Sequence, residues 1–87
     1  MRSKKLIVQN EYGIHARVAL RICEKSKALD SKVTLSKGHS KADGCSVLDM
    51  LLLSAGKGSE IELIASGGDE EKAINSISEL FTDGSGI

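Results

Sequence analysis

Residues 59–66 read SEIELIAS, with Ile61, Leu63 and Ala65 pointing one way and Glu60, Glu62 and Ile64 the other. That period of two predicts a strand with one buried and one wetter face. The chain then switches period. In GGDEEKAINSISELF, residues Ala73, Ile77 and Leu80 share a helical face, with Ile74 and Phe81 beside it. Asp69 is placed to cap this helix, and Glu70 and Glu71 suit the positive end of its dipole. A chain of 87 residues that changes period so abruptly must lay helices against a sheet.

The same alternation runs through the rest of the chain. KKLIVQN (Lys4 to Asn10) is apolar and β-branched and predicts a first strand, with EYG turning the chain. From Ala16 to about Lys27, Ala19, Ile22 and Cys23, and later Leu29, keep helical spacing. Arg17, Arg21, Glu24, Lys25 and Lys27 fall on its wetter side. In SKVTLSK, Val33 and Leu35 alternate with polar residues; KGHS predicts a hairpin turn, and SKAD a polar edge strand. Ser46 can cap a short helix from Val47 to Leu53, with Asp49 as a shortened capping-box partner. Gly56 and Gly58 end it, and TDGSGI reads as a frayed tail. The order βαββαβα predicts an α+β fold: one domain over 1–87, with a four-stranded antiparallel sheet and three helices on one face.

Composition bounds the function. One Tyr, one Phe and no Trp leave a core of Leu, Ile, Val and Ala. Twelve basic and twelve acidic residues cancel, so no global field draws nucleic acid or an anionic membrane. The early basic residues Lys4, Lys5, Arg17, Arg21, Lys25 and Lys27 lack the aromatics that stack bases. No apolar run is long enough to span a bilayer, and the basic start with three apolar residues is no signal peptide. Cys23 and Cys45 make neither a disulfide framework nor a metal cluster; both are expected as buried or half-buried hydrophobes in a reducing cytoplasm. No metal or cofactor is expected.

His15 is the candidate for chemistry. A lone histidine can simply close a turn through a ring–backbone hydrogen bond. Here it sits immediately before a helix, where free N–H groups and the dipole favour an anion. Arg17 adds a planar cation suited to phosphate oxygens. A neutral imidazole nitrogen is a nucleophile toward phosphorus. GIHAR therefore fits a histidine that takes a phosphoryl group. His39 is expected as a turn residue, and GKGS has the wrong spacing for a P-loop. The short helix is apolar nearly all round. Leu52, with Met50 or Leu53, is expected inward; Val47, Leu48 and Leu51 are expected more outward, with Leu20 extending the patch beside His15. A phosphate on Ser46 would sit beside that patch and disrupt docking without unfolding the domain.

GIHAR around His15, Ser46 at the head of a short apolar helix, GKGSEIEL and ASGGDEEKAI together resemble the HPr family, the histidine phosphocarriers of the bacterial sugar phosphotransferase system. The likeness runs from about Lys4 to Phe81. It implies an open-faced β-sandwich and a cytoplasmic, monomeric phosphoryl carrier that is not itself an enzyme. His15 would accept the group through Nδ1 from Enzyme I, charged by phosphoenolpyruvate, and pass it to the EIIA component of a sugar permease. Arg17 matches the family's phosphate-pairing arginine, and the N–H groups of Ala16 and Arg17 its helix-start donors. Leu20, Val47, Leu48 and Leu51 fall on partner-docking positions. Ser46 matches the serine modified by HPr kinase/phosphorylase; in Firmicutes relatives that form binds the catabolite repressor CcpA. The chain departs from the pattern at Val18, where the family usually has proline. It departs also at Cys45, where lysine or a polar residue is common, and at Asp49, where glycine is common. Val18 allows the same backbone as proline without enforcing it, and adds a donor. A second reading on the same fold is a regulatory module signalling through Ser46, with His15 incidental.

Overall fold

In the computed structural model, which describes residues 1–9 and 12–82, the elements follow the expected order. Strands β1 (Arg2–Ile7), β2 (Lys32–Lys37), β3 (Ser40–Asp43) and β4 (Glu60–Ser66) form one sheet in the order β1-β4-β2-β3, with every pair antiparallel. Helices α1 (Ala16–Lys27), α2 (Val47–Leu52) and α3 (Glu70–Thr82) cover its inner face.

The register shows why one face is dry. Leu6 lies opposite Ile61 on β4, while Leu63 and Ala65 of β4 lie opposite Leu35 and Val33 of β2, and all six are buried. Period-two alternation sends Glu60, Glu62 and Ile64 to the other face, as the sequence predicts. β3 is a sheet edge, kept short, with lysine on it. Gly38 and His39 make its two-residue hairpin loop, Gly38 at φ 60°.

The helices close the core with Val18, Ala19, Ile22 and Cys23 from α1 and Met50 from α2. Ala73, Ile74, Ile77, Leu80 and Phe81 come from α3. The core is aliphatic apart from Cys23, Met50 and the chain's one phenylalanine, the last two fully buried. β1 begins and ends earlier than the expected Lys4–Asn10. The exposed Arg2 and Ser3 pair with Ala65 and Ile64, since ladder bonds need backbone and no apolar side chain. Val8 and Gln9 leave the strand and bond to Ser59 and Phe81 instead, and Asn10 and Glu11 lie outside the described residues. Thr82, expected in the tail, ends α3; the rest of the tail lies outside the described residues.

Two polar straps fix helix ends. Lys37 donates through Nζ to the carbonyls of Leu53 (3.4 Å) and Ser54 (3.0 Å), placing a cation at the negative end of α2. Asp69 accepts the Ala73 N–H through its backbone oxygen, as expected of a residue heading α3. Its carboxylate reaches across to the α1–β2 loop, accepting from the Ser31 hydroxyl (2.6 Å) and the Asp30 N–H (3.0 Å). The Ser31 hydroxyl, followed by the Asp30 N–H, holds this carboxyl below its ordinary range. A depressed folded-state value contributes stability above the unfolded carboxylate range, and that contribution is lost as pH falls through the folded value. Asp69→Asn should therefore lower stability near neutral pH and flatten the acid limb of urea midpoint against pH below about pH 4. An unchanged acid limb would rule this strap out.

Candidate functional site

The site begins with a backbone collision avoided. Gly13 adopts φ +69°, and a Cβ there would strike the Ala55 carbonyl oxygen and sit 2.6 Å from the Gly56 Cα. Only glycine lets the two loops lie this close. Ile14, itself buried, then donates its N–H to Ala55 (2.9 Å) and pins the chain before α1. His15 follows as the N-cap of α1, in extended backbone at φ −93° and ψ −179°. Its carbonyl accepts the first helical bond, from the Ala19 N–H (2.9 Å).

The imidazole is the cap. Nδ1 accepts the Arg17 N–H at 3.3 Å. An accepting Nδ1 places the neutral ring's proton on Nε2. Nε2 is buried with no hydrogen-bond partner, so Nδ1 is the nitrogen turned toward the open end of the helix. The ring is half-buried, with the exposed Tyr12 ring edge-on at 6.3 Å between centroids and 73° between planes. Helical geometry leaves the N–H groups of Ala16, Arg17 and Val18 with no acceptor inside α1. The Arg17 side chain is exposed and has no ion pair with another described residue.

Val18 is where sequence reading fell short. The sequence treats it as a backbone unit, freer than proline and carrying an added N–H, yet its side chain is fully buried in the core. The signal was available: Val18 precedes Ile22 by four residues and shares its face.

α2 supplies the neighbouring surface. Leu48 is 66% exposed, Leu52 71% and Leu51 38%, and Leu20 on α1 is 52% exposed. Leu52 was expected inward and lies outward. At about 100° per residue, Leu48, Leu51 and Leu52 share one arc, while Met50 and Leu53 share the opposite, buried one. Val47, expected more outward, is half-buried against the core.

Ser46 caps α2, its Oγ accepting the Asp49 N–H at 3.2 Å. Only this half of the capping box forms. The Ser46 N–H goes to the Asp43 carbonyl (3.0 Å), and the Asp49 carboxylate accepts from the Asp43 N–H (3.4 Å). Cys45, expected buried or half-buried, is exposed. The preceding Gly44 passes so close to β2 that a Cβ would lie 2.8 Å from the Val33 side chain, which turns the next residue outward. His39 is exposed in its turn.

A protein-family model described as the PTS HPr component phosphorylation site matches residues 2–83. The chain belongs to the HPr family. The HPr of Treponema pallidum is 36% identical over 78 residues, covering 90% of this chain and 89% of that protein. The phosphocarrier NPr of Proteus mirabilis is 37% identical over 82 residues, covering 93% and 91%. The crystal structure of HPr-C-His from Thermoanaerobacter tengcongensis superposes with a TM-score of 0.88 at 27% identity, covering 93% and 91%. Members of this family are phosphocarriers of the phosphotransferase system, and the open-faced sheet with three helices is their fold. Among the described residues no helix is long and apolar enough to cross a membrane.

Gly13→Ala tests the positioning of this loop. The left-handed φ alone costs about 1–3 kcal/mol for a residue with a Cβ, and the clash with Ala55 adds to it. The thermal midpoint should fall and the His15 ring signals should shift in NMR spectra. Unchanged ring signals would separate Gly13 from the site.

Proposed function

We propose that His15 accepts a phosphoryl group on Nδ1 from Enzyme I, charged by phosphoenolpyruvate, and passes it to an EIIA domain. The observation that carries this is the cap itself: Nδ1 lies 3.3 Å from the Arg17 N–H while Nε2 is buried. The nitrogen free to attack is already directed at the donors its product would need. In the forward step the Nδ1 lone pair forms an N–P bond as the bond from phosphorus to the donor protein breaks, with the two arranged in line. The incoming oxygens displace Nδ1 as acceptor at the helix end. There the N–H groups of Ala16, Arg17 and Val18 and the dipole meet the negative charge. Arg17 has a planar fork free to pair with two phosphoryl oxygens. The buried Nε2 keeps its proton through the transfer, so no base is needed to activate the attacking nitrogen.

Partners dock on the surface beside the ring. Leu20, Leu48 and Leu51 are exposed, with Val47 half-buried among them, and Leu52 widens the patch. One chain supplies every group of this site, so a monomer suffices for the transfer.

Incubation with Enzyme I and phosphoenolpyruvate should add one phosphate, stable to base and labile to acid. His15→Ala should abolish it, and Arg17→Ala should slow uptake by about 10²-fold, the usual effect of losing one charged donor to a phosphoryl group. A wild-type chain left unmodified by a competent Enzyme I would end this reading.

A second reading, regulation through Ser46, is favoured by the position of its hydroxyl at the head of the exposed leucine arc. A phosphate there would also meet the carboxylates of Asp43 and Asp49, both within the same turn. Like charge opposes it, so modification by an HPr kinase with ATP should be weak and should rise in Asp49→Gly. Uptake that Ser46→Ala does not stop would remove Ser46 from regulation.

A further inference from the structure

Cys23 and Cys45 are far apart in sequence and meet in space. Cys23 is buried on the inner face of α1, and its Sγ–H points at the Cys45 carbonyl oxygen, 3.3 Å away. That oxygen belongs to Cys45 itself, so the Cys23 sulfur lies against the backbone of the residue that carries the second thiol. The two thiols differ in access: Cys45 faces solvent and Cys23 does not. The Cys45 turn is held by neighbours, its N–H donating to the Asp43 carboxylate at 2.8 Å.

We propose that Cys23 and Cys45 form an intramolecular disulfide by exchange with a low-molecular-weight disulfide such as oxidised glutathione. The exposed Cys45 reacts first. It loses its proton and its thiolate attacks one sulfur of the reagent, forming a mixed disulfide and releasing one thiol. The Cys23 thiolate then attacks the Cys45 sulfur, forming the Cys23–Cys45 bond and releasing the second thiol. Two protein thiols are oxidised, one reagent disulfide is reduced to two thiols, and the protons balance. Partial desolvation of the sulfur, with the Asp43 carboxylate next, raises the Cys45 thiol above its ordinary range. Less thiolate is then present at a given pH, so the first exchange step is slowed near neutral pH and hastened in base.

The link joins α1 to the turn that starts α2. Leu20 stands on the first of these elements and Leu48, Leu51 and Leu52 on the second. Oxidation would fix the spacing of the two halves of the apolar patch, whatever that patch binds.

The test uses the full chain, reduced and then exposed to oxidised glutathione near pH 8.5, where an ordinary thiol is about half ionised. Intact mass should fall by two hydrogen atoms, peptide mapping should join Cys23 to Cys45, and the chain should remain monomeric. The thermal midpoint should rise by roughly 20 °C, the shift expected for closing a loop of this length without strain. Cys23→Ser should stop at a stable glutathione adduct on Cys45. Cys45→Ser, a surface change that leaves the core intact, should stay unmodified, with a midpoint indifferent to the oxidant. A persistent adduct on wild-type Cys45, a dimer joined through Cys45, no reaction, or a linked chain with an unchanged or lower midpoint would each overturn the proposal.

Discussion

The approach of Gly13 to the Ala55–Gly56 backbone is the constraint on which the site depends. It brings two loops from opposite ends of α2 and α1 into contact that no side chain could occupy. Once they touch, the Ile14 N–H finds the Ala55 carbonyl, and Ile14 drops into the core. His15 is then the first residue free of the core and the last before the helix. Its ring caps the helix by accepting the N–H of Arg17. The direction of Nδ1 thus follows from a glycine two residues upstream and from packing.

The sheet holds this loop still. Val8 lies just past β1 and is bonded on both sides to the loop that leads into β4, through Ser59 and Gly58. Gly56 belongs to that same loop. The β1–β4 ladder, the Gly13 contact and the start of α1 therefore form one rigid sequence of contacts. α2 is different. It has six residues, buries one side only, and is held at its ends by the Ser46 cap and the Lys37 ammonium. A helix so short is stable only through such end contacts and its core residues Met50 and Leu53. Its remaining leucines are left facing solvent on a helix packed against α1, and a surface of that kind is suited to partners that come and go.

Much of this was legible in the chain because each element states its own period. β4 alternates so cleanly that its buried side needs no other information, and α1 and α3 carry caps and apolar stripes long enough to fix their faces. α2 was harder to read. Apolar on all sides, it has no periodicity of its own, so Leu52 could be assigned only by knowing which side met α1 and β3. Cys45 failed for a related reason. Its exposure is decided by Gly44 pressing on Val33, a contact between segments distant in sequence. β1 began early because ladder hydrogen bonds at a sheet edge are indifferent to side-chain polarity. His15 and Arg17 were legible as a pair because both lie within one turn of a helix start, where local geometry decides what faces what.

Val18 shows how one residue serves two levels. As a side chain it is sealed in the core. As a backbone unit it is the third residue of the helix, and helical geometry directs its N–H out of the same end as those of Ala16 and Arg17. A proline here would remove that donor and fix φ, giving a stiffer and less hydrogen-bonding helix end. Valine reverses both effects. Burial restrains its side chain, so the stiffness lost from the ring is partly restored by packing. The added N–H lies on the side where a capping acceptor reaches the second and third residues of a helix. If His15 carries a phosphoryl group on Nδ1 as proposed, that group would extend from the capping position itself, and the extra donor would stabilise the charged carrier more than the empty one. A site built this way should hold its phosphoryl group longer than one closed by proline, at the expense of the driving force for handing it on.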